Sequence, residues 1–312
     1  MIICPLCNSQ DTNLIENVVI FGSPLKIFRC SLCGLSFSDK MEEAKGEHYK
    51  LAEWYGERWE FEEVVKLINV RGQNLLELGC GKGFFLNVAE KAGARVFGID
   101  INKSAIDYAK KKFNLKNVYA DTLDDFLKKN RGLKFEIICL FHILEHLANP
   151  TDFVNKISEL LDLNGFLCLS FPSPHRVSLS LLQREYWDYP PHHLTRWDEK
   201  SIKYLLENNN FEIIKIVEEP LSILKCTESI GTFFQTLSIK KSSEKGQEKE
   251  SYKKMFFSLR KILKPLLMIA FLPIGFCLYI IGKIKKLNGK GIRVSYILYF
   301  SLPFFENIQS NA

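Results

Sequence analysis

A chain of 312 residues is long enough for one catalytic domain of roughly 200–250 residues plus a small companion, and 46% apolar with 25% charged residues is a globular composition. The net charge of +6 is unevenly held: residues 240–290 carry 13 Lys/Arg against 3 Asp/Glu, a balance of +10, leaving the remainder at −4. This excludes a nucleic-acid surface spread over the fold, and nine cysteines, five of them scattered (Cys80, Cys139, Cys168, Cys226, Cys277), fit a reducing cytosol rather than a disulfide framework.

Residues 1–40 open with CPLC (Cys4, Cys7) and follow 22 residues later with CSLC (Cys30, Cys33). Each pair can pinch a metal from a tight turn, and Gly34 stands where such a knuckle needs positive φ. Four thiolates in tetrahedral array suit Zn²⁺. VVIFG and LKIFRC read as short strands, so the pattern predicts a zinc ribbon whose metal supplies folding energy that forty residues cannot bury. With Cys4 already in the first pair, no signal peptide is expected ahead of it. Residues 41–70 then show apolar and aromatic positions at helical spacing (Trp54, Phe61, Val64, Val65, Ile68), a linker helix or lid. Tyr49, Trp54 or Tyr55 could cap a ligand pocket.

Residues 71–219 alternate strands and helices, which predicts a doubly wound α/β parallel sheet with ligands at the carboxyl ends of its strands. NLLEL is a buried strand, and Gly79, Gly81 and Gly83 turn the chain into a helix near Phe84. Lys82 is followed by Gly83 rather than Ser or Thr, so this is not a Walker A loop, and GxGxG with Glu77 ahead of it departs from the dinucleotide fingerprint. An acid before the glycines suits a cationic ligand, and S-adenosylmethionine has an ammonium and a sulfonium but no phosphate. ARVFGID ends a second strand at Asp100, placed for ribose hydroxyls; NVYAD ends a third at Asp121, placed for an adenine amino group. FEIICLF and GFLCLSFP are the fourth and fifth strands, FEIIKIVEE the sixth, and GIRVSYILYF the last, returning antiparallel.

ELGCGKG, GID, AD and the run from FEIICLF through HILEHLANP to SFPSP resemble the class I S-adenosylmethionine-dependent methyltransferases, more narrowly a bacterial branch with an "LEH…P" signature. The similarity covers about residues 70–218 and resumes near 292–300. It implies a seven-stranded Rossmann-like sheet with the last strand antiparallel. It also implies that Glu77, Gly79, Gly81 and Gly83 line the methionine end, that Asp100 holds the ribose with Ile101 beside the adenine, and that Asp121 and the Thr122 backbone meet the adenine edge. Phe141 or His142 then lies under the sulfonium. Some relatives, the quinone-ring and small-RNA-end methyltransferases, hold a divalent metal with an ExxEH motif; here the first position is His142.

Five of six histidines fall between 142 and 193. A base for a hydroxyl acceptor is expected among His142, His146, His192 and His193, with Glu145 orienting a neighbour or, with the imidazoles, a metal. His142 and His146 would share a face if their turn is helical. Tyr186, Trp187 and Tyr189, ahead of the Pro-Pro-His-His loop, hint at a sugar or aromatic acceptor, or simply pack on the core.

Residues 220–290 form a long insertion before the final strand and tail at 291–312. Its apolar run Pro265–Gly282, flanked by lysines, would extend about 27 Å as a helix and is interrupted by Pro273 and Gly275. A span would strand the last β-strand across the bilayer, so a helix lying on or dipping into an anionic membrane surface is expected, with a buried helix or dimer contact as the plain alternative. Together these features predict a cytoplasmic-face, membrane-associated methyltransferase acting on a sugar or lipid-linked glycan. The alternatives are a soluble small-molecule O-methyltransferase and a non-catalytic cofactor-binding protein. No nucleic-acid partner is expected, and the oligomeric state stays open.

Overall fold

The computed structural model describes residues 2–20, 22–43, 56, 58–68, 71–173 and 188–218, and the backbone of 295–301. The apolar run 265–282, Tyr49, Trp54, Tyr55, Tyr186 and Trp187 lie outside them. One sheet is built on strands β4 (Asn74–Leu78), β5 (Arg95–Ile99), β6 (Val118–Tyr119), β7 (Phe135–Phe141), β8 (Leu161–Pro172), β10 (Glu212–Glu218) and β11 (Ser295–Ser301), in the order β10-β11-β8-β7-β4-β5-β6. The pairs β4–β5, β4–β7, β5–β6 and β7–β8 are parallel, whereas β11 runs antiparallel to both β8 and β10. Central strands covered on both faces must be apolar throughout, and Leu75, Leu76, Ile137, Ile138, Leu140, Leu167 and Leu169 are wholly buried.

The helices start where short polar side chains can satisfy their first N–H groups. Asn102 caps α3 (Lys103–Phe113), Thr122 caps α4 (Leu123–Lys129) and Asn149 caps α5 (Pro150–Ser158) with proline in its first turn. Asp198 and Ser201 form a capping box on α6 (Glu199–Glu207). Helix α1 (Trp59–Val65) lays Phe61 against Phe85 of α2 (Phe84–Lys91) and Phe141, with ring centroids 5.1 and 5.4 Å apart.

Gly83 begins α2 at φ +75, and a Cβ there would stand 2.9 Å from the Ala109 Cβ and 2.7 Å from Leu115 Cδ1. Gly83→Ala combines left-handed strain with overpacking against α3, a loss of roughly 2–4 kcal/mol. A thermal melt should fall by at least about 5 °C; an unchanged midpoint would mean that α2 and α3 can part without cost.

The N-terminal segment forms a second, four-stranded sheet in the order β1-β2-β3-β9. Strands β1 (Thr12–Ile20), β2 (Ser23–Cys30) and β3 (Ser36–Ser38) are its own; β9 (Thr195–Arg196) comes from the segment ahead of α6. Each cysteine pair closes a tight turn, Asn8 N donating to Cys4 O and Gly34 N to Cys30 O, both at 3.0 Å. The residue after each pair is left-handed, Asn8 at φ 57 and Gly34 at φ 82. The segment does not stand apart. Leu35 and Phe37 share one apolar cluster with Trp197, Leu205 and Leu206, and Arg29 is paired with Asp198 at 2.5 Å.

Candidate functional site

Two groups of residues gather at the carboxyl ends of β4, β5 and β7, the end of a parallel sheet at which ligand crevices open. In the first, Gly79, Gly81 and Gly83 all have positive φ and the turn is tied to β5 by Gly79 N and Cys80 N donating to Ile99 O at 2.8 and 3.0 Å. A Cβ on Gly79 would come within 2.3 Å of Ile143 Cδ1, so the loop after β7 closes directly over this turn. Asp100 accepts from Gly81 N at 2.8 Å with one oxygen and from Asn102 N at 2.7 Å with the other. Each carboxylate oxygen can accept a second bond, so Asp100 shapes the loop and still offers acceptors to a ligand. Burial raises its pKa against those two backbone bonds.

Glu77 is buried at the end of β4, and its Oε2 has no hydrogen-bond partner among the described residues. Burial drives its pKa well above the carboxylate range, opposed by the charge of Arg58 and reinforced by that of Asp100. A buried, unpaired carboxyl is costly unless something cationic completes it. Ile101, beside Asp100, is a large apolar side chain left 51% exposed. Asp121 lies just past β6 and pairs with Lys129 at 2.6 Å, and Thr122 spends its hydroxyl on the α4 cap. The Phe141 ring turns into the core, 4.9 Å from Phe85 in edge contact.

The second crevice is polar. His142 has φ 57 and its N–H donates to Ser170 O at 3.0 Å, so the chain leaves β7 through a left-handed step rather than an α-helix. Only Leu144–His146 form a single 3-10 turn. His142 and His146 therefore do not share a helical face and bond to different groups. His142 lies between two buried carboxylates, Nδ1 3.2 Å from Glu145 Oε1 and Nε2 3.1 Å from Glu60 Oε1. Burial would discharge the imidazole, but the bonds to Glu145 and Glu60 outweigh it and raise the pKa. Burial likewise opposes charge on Glu145, yet the hydrogen bond and charge of His142 hold it down to about 2, and Glu60 is lowered in the same way.

His146 behaves oppositely: burial lowers its pKa to about 4, and its Nδ1 lies 2.7 Å from the His192 carbonyl. His192 thus meets the cluster with its backbone. The His193 ring sits 5.0 Å from that of His146 at 70°, and its Nδ1 lies 3.2 Å from Asp188 Oδ1. One ligand atom each from Glu145, His146 and His193 lie within 4.8 Å of one another, and Glu145 Oε2 has no hydrogen-bond partner among the described residues. Tyr189 is buried against Leu25 and Ile27 of the N-terminal sheet, with its hydroxyl donating to Glu16 at 3.0 Å, so it is a packing residue.

Sequence reasoning missed Glu60 and Asp188. Glu60 sits four residues before Val64, on the buried face of α1 with Phe61, and an acid on an apolar face is the signal that could have exposed it.

The third grouping is the four cysteines, whose sulfurs also lie within 4.8 Å of one another, Cys4 to Cys33 at 3.5 Å and Cys7 to Cys30 at 3.4 Å. Sulfurs around a tetrahedral ion at about 2.3 Å stand about 3.8 Å apart, so the set fits a metal. The Cys4 thiol is lowered to about 5, chiefly by its hydrogen bond with Cys33, which is itself pushed up by that same bond.

The model of a family described as a methyltransferase domain matches residues 49–216, more than half of the chain. A ubiquinone biosynthesis O-methyltransferase of Actinobacillus pleuropneumoniae serotype 7 (strain AP76) is 31% identical over 106 residues, 32% of this chain and 45% of that protein. The chain thus spans about half the length of that relative. The enzyme of the same name from Coxiella burnetii (strain Dugway 5J108-111) is 27% identical over 161 residues, 46% of this chain and 69% of its own. Among solved structures, the magnesium protoporphyrin IX methyltransferase of Synechocystis with bound SAH aligns at TM-score 0.42 and 22% identity, over 52% of this chain and 76% of that one.

Proposed function

The chain belongs to the methyltransferase-domain family, and we propose that it transfers a methyl group from S-adenosylmethionine to a hydroxyl of a small acceptor. The observation that carries this reading is the pairing of a buried, unpartnered Glu77 with the Asp100-bound glycine turn. The donor fits there: its ammonium completes Glu77, its ribose hydroxyls find the remaining acceptors of Asp100, and the exposed Ile101 face suits the adenine. Bound there, the cofactor supplies a methyl on a positively charged sulfur, open to in-line displacement.

The protein's own part is to orient the acceptor and remove its proton. His142, its pKa raised and both ring nitrogens engaged by Glu60 and Glu145, is poorly suited as a base; it orients the acceptor. His193 is held at Nδ1 by Asp188, the arrangement of a carboxylate-oriented general base, so Nε2 takes the proton. The named relatives are O-methyltransferases, which favours a hydroxyl acceptor. A sugar hydroxyl is one such case. The lipid-linked glycan and the anionic membrane surface rest on residues 220–290 alone, outside those described, and stay a separate proposal. Among the described residues no helix is long and apolar enough to cross a membrane.

The experiment is to incubate the protein with methyl-labelled S-adenosylmethionine and a small-molecule and lipid extract. Label in an extractable product is expected; cofactor binding without any labelled product would leave a non-catalytic binding protein.

A second reading takes Glu145, His146 and His193 as metal ligands. It is favoured by the outer bonds of both imidazoles, to the His192 carbonyl and Asp188, which are the partners that metal-binding histidines use. The four cysteines hold a structural zinc ion in either reading. Two metal equivalents per chain, one of them surviving replacement of Cys33, would select the metal-assisted route.

A further inference from the structure

Besides the pairing of β3 with β9, the N-terminal sheet reaches the segment that carries His193 through a half-buried knot around Glu16. Glu16, on β1, accepts from Arg196 Nη1 at 2.7 Å with Oε1 and from the Tyr189 hydroxyl at 3.0 Å with Oε2. The Arg196 guanidinium lies 4.9 Å from the centre of the Tyr189 ring, and its Nη2 donates to the Asp188 carbonyl at 3.2 Å. Asp188 in turn holds His193 Nδ1. The segment is closed by backbone bonds as well: His192 N and His193 N donate to Tyr189 O at 3.1 and 3.3 Å, and Leu194 N donates to Glu145 O at 2.8 Å. A single carboxylate thus grips both ends of the eight-residue stretch from Tyr189 to Arg196, and that stretch carries His193.

We propose that Glu16 is a positioning residue for the transfer reaction: through Arg196, Tyr189 and Asp188 it fixes the His193 imidazole with its proton on Nδ1 and its chemistry at Nε2. The proposal rests on the methyltransferase reading. It makes the N-terminal sheet a working wall of the acceptor site. Two physical points support it. The Arg196 and Tyr189 side chains are largely buried, so charge-assisted bonds to Glu16 are poorly screened. Arg196 Nη2 ties down the Asp188 carbonyl, so an Arg196 that shifts on loss of Glu16 would carry that tie, and the Asp188 carboxylate's aim at His193, with it.

The test compares the full chain with Glu16→Ala and Glu16→Gln. Nitrogen-detected NMR of the His193 ring at alkaline pH reads the tautomer, and calorimetry with S-adenosylmethionine reads the cofactor site. In the parent the Nδ1–H form should predominate by about tenfold, the bias that a hydrogen bond to a carboxylate gives. Glu16→Ala should reduce that bias to about twofold while cofactor affinity stays within about twofold, because Glu77 and Asp100 lie on other elements. Glu16→Gln keeps an acceptor for Arg196 and a group for Tyr189, and should restore most of the bias. An unchanged tautomer in Glu16→Ala, in a protein that binds cofactor, overturns the proposal alone. Parallel loss of cofactor binding and tautomer bias, with Gln no better than Ala, would make Glu16 merely a structural support and overturns it too. A parent that fails to bind S-adenosylmethionine overturns the proposal together with the reading beneath it.

Discussion

With the proposed zinc ion held by the four cysteines, Cys33→Ser should abolish metal binding and cost the protein most of the proposed transfer activity, though Cys33 lies far in sequence from Glu77, Asp100, Glu145 and His193. The sulfurs of Cys4, Cys7, Cys30 and Cys33 crowd together, and without a cation only part of the set can be thiolate. A structural zinc contributes roughly 10–16 kcal/mol of apparent binding energy in small zinc domains, comparable with the whole stability of an ordinary domain, about 5–15 kcal/mol. That energy reaches the site by contact. Strand β3 pairs with β9 through Ser36–Arg196 and Phe37–Thr195, and Ser38 N donates to Leu194 O at 3.0 Å. The Thr195 hydroxyl donates to Leu144 O at 3.1 Å and accepts from Trp197 Nε1 at 2.9 Å, linking the N-terminal sheet to the 3-10 turn that carries Glu145. Release of the sheet should therefore expose residues 2–43 to proteolysis and lower turnover on the order of 100-fold, the scale of a misplaced catalytic group. Cofactor affinity should fall less than about tenfold, since β4 and β5 are strands of the other sheet and carry no hydrogen-bonded pairing to the N-terminal one. A metal-free variant that melts and turns over like the parent would contradict this.

Glu145→Gln should be the costliest single change inside the polar crevice. It keeps the shape but leaves His142 bonded to Glu60 alone, and breaking one side of a buried ion pair typically costs 3–5 kcal/mol. At this chain length that lowers the thermal midpoint by roughly 10 °C. The pH dependence has a definite sign. Glu145 is depressed to about 2 in the folded protein, so its contribution is present above the ordinary carboxylate range and is lost as pH falls toward 2. His142 is raised, so its contribution is present below the ordinary imidazole range and is lost as pH climbs through its folded value. The gap between parent and variant should be widest at about pH 5–6 and narrow on either side. A gap independent of pH would mean that Glu145 acts by packing, not charge.

How much of this was legible depended on how local each feature is. The buried strands could be read from NLLEL and FEIICLF because a strand covered on both faces must be apolar. The glycine turn and the αL position of Gly34 were readable because their conformations demand that residue type. Asn8, which plays the same part after the first cysteine pair, gave a weaker signal, since asparagine is only tolerant of that region. The polar crevice was half visible: His142, Glu145 and His146 are neighbours in sequence, but Glu60 is 82 residues from its partner. The ribbon reads as a separate unit by its spacing, yet forty residues bury little on their own, and Leu35 and Phe37 find their cover in Trp197 and α6. The same docking explains Tyr189, which packs inward because Leu25 and Ile27 face it. Asp121, expected as the last residue of its strand, lies two residues past the end of β6 at Tyr119, and nothing local announced its pairing with Lys129.

The function proposed for this chain depends on which ligand occupies the turn at Gly79–Gly83. Calorimetric titration of the full chain with S-adenosylmethionine, with NAD as the control, tests it directly. S-adenosylmethionine should bind with one site per chain, NAD should give no heat, and Asp100→Ala should weaken the first by at least about tenfold, the loss of one charged hydrogen-bond acceptor. Binding of NAD, or S-adenosylmethionine affinity untouched by Asp100→Ala, would contradict it.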